Sequence, residues 1–195
     1  LFLARSGLVT PESYFELLGK GITRVLRTPG RFRQDIEASS YDAWTKLYKQ
    51  DANAPNSMIS YYAKGALVAL ALDLTIRRGT DGKHSLDDVM RECWARYGET
   101  GEGMPERGLE SVARSVSGLD LEDFFERFVR GTVDPPLQAL LRHVGISLRL
   151  RPSDGASDSG GKPGKDDSPP PPWLGARLSE SGGSSRFAAV YASGP

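Results

Sequence analysis

The chain has one cysteine, two histidines and no surplus of charge of either sign. The single thiol, Cys93, excludes an internal disulfide and any site built from several thiolates. It sits in "DDVMRECWARY" among Met90, Trp94 and Tyr97, where a small buried packing residue is expected in place of a reactive thiol. His84 and His143 lie far apart, one beside a Gly-rich turn and one near the end of a helical segment. Without an HExxH pair they read as surface or capping residues, and no complete zinc site of that type is encoded, so no metal ligand is expected in this chain. Lys plus Arg number 25, as do Asp plus Glu, which removes any global electrostatic case for nucleic acid or an anionic membrane surface. The longest apolar run, around Ala66 to Leu74, is shorter than the roughly 20 residues of a membrane span, and no basic-then-apolar leader opens the sequence. The chain reads as soluble.

What is there is mostly helical pattern. A length of 195 residues suits one domain with a smaller appendage. Thr10, Pro11 and Glu12 make a helix start, followed by Leu18, Ile22, Val25 and Leu26 at helical spacing until "RTPGR" breaks it. An irregular segment follows to about Pro55, and an apolar helix then runs from "NSMISYYAKG" to Arg78. Ser85 with Asp88 is a capping-box signal before Val89, Cys93, Trp94 and Tyr97. Further helices are expected over 106–116, from Asp120 through Phe124, Phe125 and Phe128, and from Asp134 through Leu141, with Gly118, Gly131 and Gly145 as stops. Asp87, Asp88, Glu122 and Asp123 fit helix N-termini better than catalysis. The expected class is mainly α, a bundle of about six helices over 1–145.

The period then changes. "ISLRLRP" alternates Ile146, Leu148 and Leu150 against polar residues, which predicts a connecting strand over 146–152. Residues 153–172 lack apolar side chains and read as a disordered Pro/Gly/Ser linker or loop. Two short strands joined by a Gly/Ser turn are expected within 173–195, too few residues to bury a core alone. The opening "LFLARSGLVTPESYF" enters directly into apolar residues and reads as the continuation of a longer protein.

The chemistry concentrates at the head of the apolar helix. A tyrosine phenol, with a reference pKa near 10, stays protonated at neutral pH and can donate to a developing oxyanion. Two readings stand on the residues alone. In one, Tyr61 and Tyr62 are boundary residues with rings in the core and hydroxyls in water, and Lys64 snorkels beside them. In the other, one tyrosine faces an active-site cleft. "ASSYDAWTKLY" likewise reads either as an irregular loop with core aromatics Tyr41, Trp44 and Tyr48, or as a substrate-side loop in which Asp42 or Asn56 meets a substrate amine.

The ordered motifs "RVLRTPGR", "ASSYDAWTKLYKQDANAPNSMISYY", "SYYAKGALVALALDL", "HSLDDVMRECWARYG" and "DLEDFFERFVRGT" resemble the C-terminal part of the catalytic region of the glycyl aminopeptidase family of zinc metallopeptidases, M61. The resemblance covers nearly all of 1–150. It implies the helical subdomain of a thermolysin-like, aminopeptidase N-clan catalytic domain, acting on peptides with zinc as cofactor. In that family a Tyr-x-Lys-Gly tyrosine donates to the oxyanion. The matching residues are Tyr62-Ala63-Lys64-Gly65, so the role falls to Tyr62, with Tyr61 structural. The HExxH helix and the downstream glutamate of the family are not in this sequence, so the chain alone would be inactive, with its apolar cleft wall and strand edges open to self-association and to the other half of the catalytic domain.

"WLGARLSES…RFAAVYASGP" is similar to the opening of a bacterial PDZ domain, which implies a β-rich segment in which Leu174 and Gly175 would offer N–H groups to a peptide carboxylate. The implied setting is a bacterial cytoplasm or periplasm. The competing reading is a non-catalytic helical interaction module, or a pseudoenzyme, joined to such a peptide binder.

Overall fold

Local capping chemistry sets several of the helix boundaries in the computed structural model, which describes residues 2–155, 157–163 and 172–192. The α-helices among these are α1 (Phe2–Arg5), α2 (Pro11–Leu26), α3 (Ile36–Tyr41), α4 (Ala54–Ser57), α5 (Tyr61–Gly79), α6 (Leu86–Cys93), α7 (Gly108–Ser117), α8 (Glu122–Phe128) and α9 (Leu137–His143). A 3₁₀ turn covers Pro29–Phe32, and single π-helical turns cover Ala43–Leu47 and Trp94–Gly98. Thr10 caps α2 through its hydroxyl, which accepts the Ser13 N–H at 3.2 Å. The backbone N–H of Ser85 donates to Asp88 Oδ2 at 2.8 Å, completing the capping box of α6. Asp120 accepts from the N–H of Glu122 at 3.1 Å ahead of α8. Gly118, with φ of 68°, supplies the left-handed residue that ends α7.

The chain divides into two compact units. One comprises 35–37 and 65–149. Its core is apolar: Leu67, Val68, Ala71, Leu72 and Ile76 of α5, Val89 and Cys93 of α6, Val112 and Ala113 of α7, Phe124, Phe125 and Phe128 of α8, and Leu140 and Leu141 of α9 are all buried. Burial pushes the Cys93 thiol pKa up, as suits a packing residue. One ion pair lies deep in this unit, Arg130 to Glu110 at 3.0 Å, with Glu126 on the same guanidinium at 2.8 Å. From Ala54 to Gly79 the chain is long and apolar enough by composition to cross a membrane, but close to half of that window is buried inside the protein, as expected for the central helix of a folded core.

The other unit comprises 1–34, 38–64 and 150–195. Ile22 and Val25 of α2, Ala43, Ala54, Met58 and Ile59 form its small core. The Pro29–Phe32 turn lies so close to Met58 that a Cβ on Gly30 would overlap the Met58 backbone, so only glycine fits there.

The C-terminal third departs from the sequence pattern. Residues 146–152 pair with no strand among the described residues. The Ile146 N–H instead donates to Leu141 O at 3.0 Å, closing the end of α9, and the Leu148 carbonyl accepts Gln138 Nε2 at 3.2 Å. Alternation makes a strand only where a partner edge is available, and none pairs with 146–152 among the described residues. The expected linker 153–172 carries no helix or strand where it is described, yet residues 153–155 and 157–163 are tied down. The Arg151 guanidinium forks onto Asp158 at 2.8 and 3.2 Å, and Asp158 also accepts the N–H groups of Asp154 and Gly160 at 3.0 and 2.8 Å. Those bonds, Arg151 foremost, hold the Asp158 carboxyl well below the usual carboxylate range. A Cβ on Gly19 of α2 would come within 2.7 Å of Gly161 Cα, a backbone approach that side chains on both partners would block.

Within 173–195, β1 (Ala176–Ser181) and β2 (Ser184–Val190) form a two-stranded antiparallel hairpin with Ala176 opposite Val190 and a bulge between Arg177 and Leu178. Its turn is Gly182-Gly183, both at positive φ, the conformation that matches strand twist. The protein is thus mainly helical with a short β segment.

Candidate active site

Helix α5 starts at a cluster of buried polar side chains. The four leading N–H groups of a helix have no partner within it. Here Ser60 Oγ accepts from Ala63 N at 3.3 Å, Ser39 Oγ accepts from Tyr61 N at 3.1 Å, and Gln34 Oε1 accepts from Ile59 N at 3.2 Å. Ser39 passes its own proton to the Ile59 carbonyl. Lys64, expected to snorkel to water, is instead wholly buried at 0% exposure, and its Nζ donates to the Arg31 carbonyl at 3.2 Å. A buried ammonium is tolerated only where such acceptors meet it. Lys64 therefore ties the Pro29–Phe32 turn to the first turn of α5, and Gly30 lets that turn come close enough.

This framework fixes Tyr61 and Tyr62. Tyr62 is 61% exposed, and its hydroxyl lies 2.9 Å from that of Tyr48. The rings of Tyr61 and Tyr62 stack with centroids 4.1 Å apart. Hydrogen bonds from Tyr48, and then from Tyr61, favour the ionised Tyr62 and hold its pKa below the ordinary tyrosine value. The same bonds, that with Tyr62 first, push Tyr61 above it. Of the two adjacent phenols, Tyr62 is the more acidic and the more accessible, and so the stronger donor to an external oxygen.

The aromatics of "ASSYDAWTKLY" are not core residues. Tyr41 is 90% exposed and Trp44 79%, and the Trp44 ring lies 5.1 Å from that of Tyr48. Apolar composition gave no sign of which way they face. Trp44 lies within the π-turn Ala43–Leu47 and Tyr48 directly after it. Such turns recur at functional sites. Asp42 heads the same turn, half-buried and paired with Lys46 Nζ. Asn56 has both ends of its amide engaged: Nδ2 donates to the Val190 carbonyl at 2.7 Å and Oδ1 accepts the Ala192 N–H at 2.8 Å. It holds the far end of the hairpin. Leu174 is exposed, while Gly175 is buried with φ of 70°, and its carbonyl accepts the Tyr191 N–H at 2.8 Å at the hairpin base.

Tyr48, Tyr61 and Tyr62 thus come together, with Trp44 alongside. Asp42 shares their loop, and Asn56, Leu174 and Gly175 serve the hairpin. Sequence reasoning missed Tyr48 as a partner of Tyr62, and Gln34, Ser39 and Lys64 as the supports of the helix start. Only Ser60 carried a readable signal, a capping residue just ahead of the helix. Among the described residues no group of three or more His, Cys, Asp or Glu side chains could hold a metal ion.

The family model of M61 glycyl aminopeptidases matches residues 1–68, which include the Tyr-x-Lys-Gly motif. The crystal structure of an aminopeptidase N family protein from Idiomarina loihiensis superposes with a TM-score of 0.89 at 34% identity, over 98% of this chain and 32% of that one. The chain spans about a third of that protein's length. No curated protein matches it. The family match over 1–68 and the structural likeness together support an M61 peptidase-family origin for this segment.

Proposed function

We propose that the chain forms the helical wall of the catalytic domain of a zinc metallo-aminopeptidase, and that Tyr62 donates a hydrogen bond to the oxyanion of the tetrahedral intermediate. The observation that carries this reading is the exposed Tyr62 hydroxyl, held at the first turn of α5 and made more acidic by its neighbours. An oxyanion donor must be fixed before the reaction, because reorganising it during the reaction would cost what it supplies. The buried supports at Ser39, Gln34 and Lys64 do that fixing. The substrate would be the N-terminus of a peptide, with glycine or alanine preferred by analogy with the family.

The described residues of this chain offer no ligand set for zinc. Zinc ligands would come from the remainder of the catalytic domain, which would be this wall's partner. Asp42 would meet the substrate amine by exchanging its Lys46 partner, and Asn56 by releasing the 190–192 backbone. The outer edge of β1, beside Leu174 and Gly175, is where an extended peptide would add as a strand. The test is Tyr62→Phe in the intact protein, with release of an N-terminal residue as the assay. A kcat lower by about 10² with unchanged stability supports the reading. A kcat equal to wild type ends it and leaves peptide binding by a non-catalytic module.

A further inference from the structure

We infer that Tyr48 is a positioning residue for Tyr62, its hydroxyl 2.9 Å away fixing the direction in which Tyr62 presents its own proton to the substrate. The inference rests on the oxyanion role proposed for Tyr62. A phenol has one proton to give and lone pairs that accept. If Tyr62 gave its proton to Tyr48, none would remain for an oxyanion. If Tyr48 is the donor, the Tyr62 proton points away from it, into the open space that its exposure leaves. The second arrangement agrees with the acidity order, in which Tyr62 is the acceptor of its neighbours and the easier phenol to ionise.

Nothing in core packing requires Tyr48 to be there, because its ring is exposed. Its place is set by the π-turn before it, where Tyr48 N–H closes onto Ala43 O at 3.0 Å, and by Trp44 against its ring. Tyr61 stacks on Tyr62 and contributes the other hydroxyl. Among the described residues, the titratable groups that act on the Tyr62 hydroxyl are Tyr48 on the loop side and Tyr61 on its own helix. The pair is therefore a directed relay of two phenols, Tyr48 giving to Tyr62 and Tyr62 giving to substrate.

The test uses the intact protein labelled with [ζ-13C]tyrosine, which has seven tyrosines in this chain to follow, with Tyr62→Phe and Tyr48→Phe as variants. In wild type, the Tyr62 resonance, assigned by its loss in Tyr62→Phe, is expected to titrate below free tyrosine. In Tyr48→Phe its midpoint should rise, and kcat should fall by up to roughly tenfold, the upper worth of one hydrogen bond between neutral groups, with KM unchanged. The alkaline limb of the kcat profile should move up with the midpoint. A merely structural Tyr48 would change stability and leave midpoint and kcat in place, and that result overturns the inference while leaving the Tyr62 reading intact. A wild-type Tyr62 that titrates at or above free tyrosine overturns it without any Tyr48 variant. If Tyr62→Phe keeps full kcat, the reading of Tyr62 falls and the inference with it.

Discussion

The two ends of α5 are held by different physics. From Leu67 to Ile76 the helix is fixed by apolar burial, with Ala71 and Ile76 fully shielded. From Tyr61 to Lys64 it is fixed by the Tyr61 and Ala63 N–H groups donating to the Ser39 and Ser60 hydroxyls, and by the buried Lys64 Nζ donating to the Arg31 carbonyl. Apolar contacts are non-directional, so the first kind of anchoring supplies stability and tolerates repacking. Hydrogen bonds specify direction to within a few tens of degrees, so the second kind aims a side chain. The comparison teaches that the end to which we assign the chemistry is the one tied by polar groups.

Substitutions at the two ends sharpen that contrast. Ile76→Ala should cost about 2–5 kcal/mol of stability, read by urea unfolding, with the Tyr62 environment unchanged. Tyr62→Phe should do the reverse, losing about 10² in kcat with little change in the unfolding midpoint. Ser39→Ala leaves the Tyr61 N–H and a proton-accepting Ile59 carbonyl without their partner, so a loss of about 1–3 kcal/mol is expected. It should also broaden the Tyr62 resonance, which Ile76→Ala should not. Equal effects of both variants on Tyr62 would remove the distinction.

The smallest expected effect is one of pH. Asp158 ionises more readily in the folded chain than in the unfolded one. Its contribution is therefore complete above the unfolded carboxyl pKa of about 4 and is lost as pH falls through the lower folded value. Amide protection at 153–155 and 157–163, relative to intrinsic exchange rates, should fall on acidification below about pH 4, and Asp158→Asn should abolish that dependence.

Helix limits were legible because their causes are local. Thr10, the Ser85 and Asp88 pair, and Gly118 each act within four residues of the backbone they satisfy. The family was legible through the ordered motifs. What was hidden depends on distant residues. Tyr48 reaches Tyr62 across 14 positions and Gln34 reaches Ile59 across 25, separations with no periodic signature. Residues 146–152 alternate as a strand would, but a strand is a property of a pair. The glycines of "SDSGGKPG" read as freedom, whereas Gly160 and Gly161 are there because their lack of side chains lets the backbone sit against α2.

Asn56 has a consequence for covalent ageing and for redesign. Its amide imitates one rung of a β-ladder, with a donor facing the Val190 carbonyl and an acceptor facing the Ala192 N–H. Replacing the side-chain nitrogen by oxygen, as in Asn56→Asp or spontaneous deamidation, keeps the shape and reverses the polarity at Val190, so two oxygens face each other. A change of one atom thus acts as a catch that lets go of the end of the hairpin while leaving every apolar contact of the core in place.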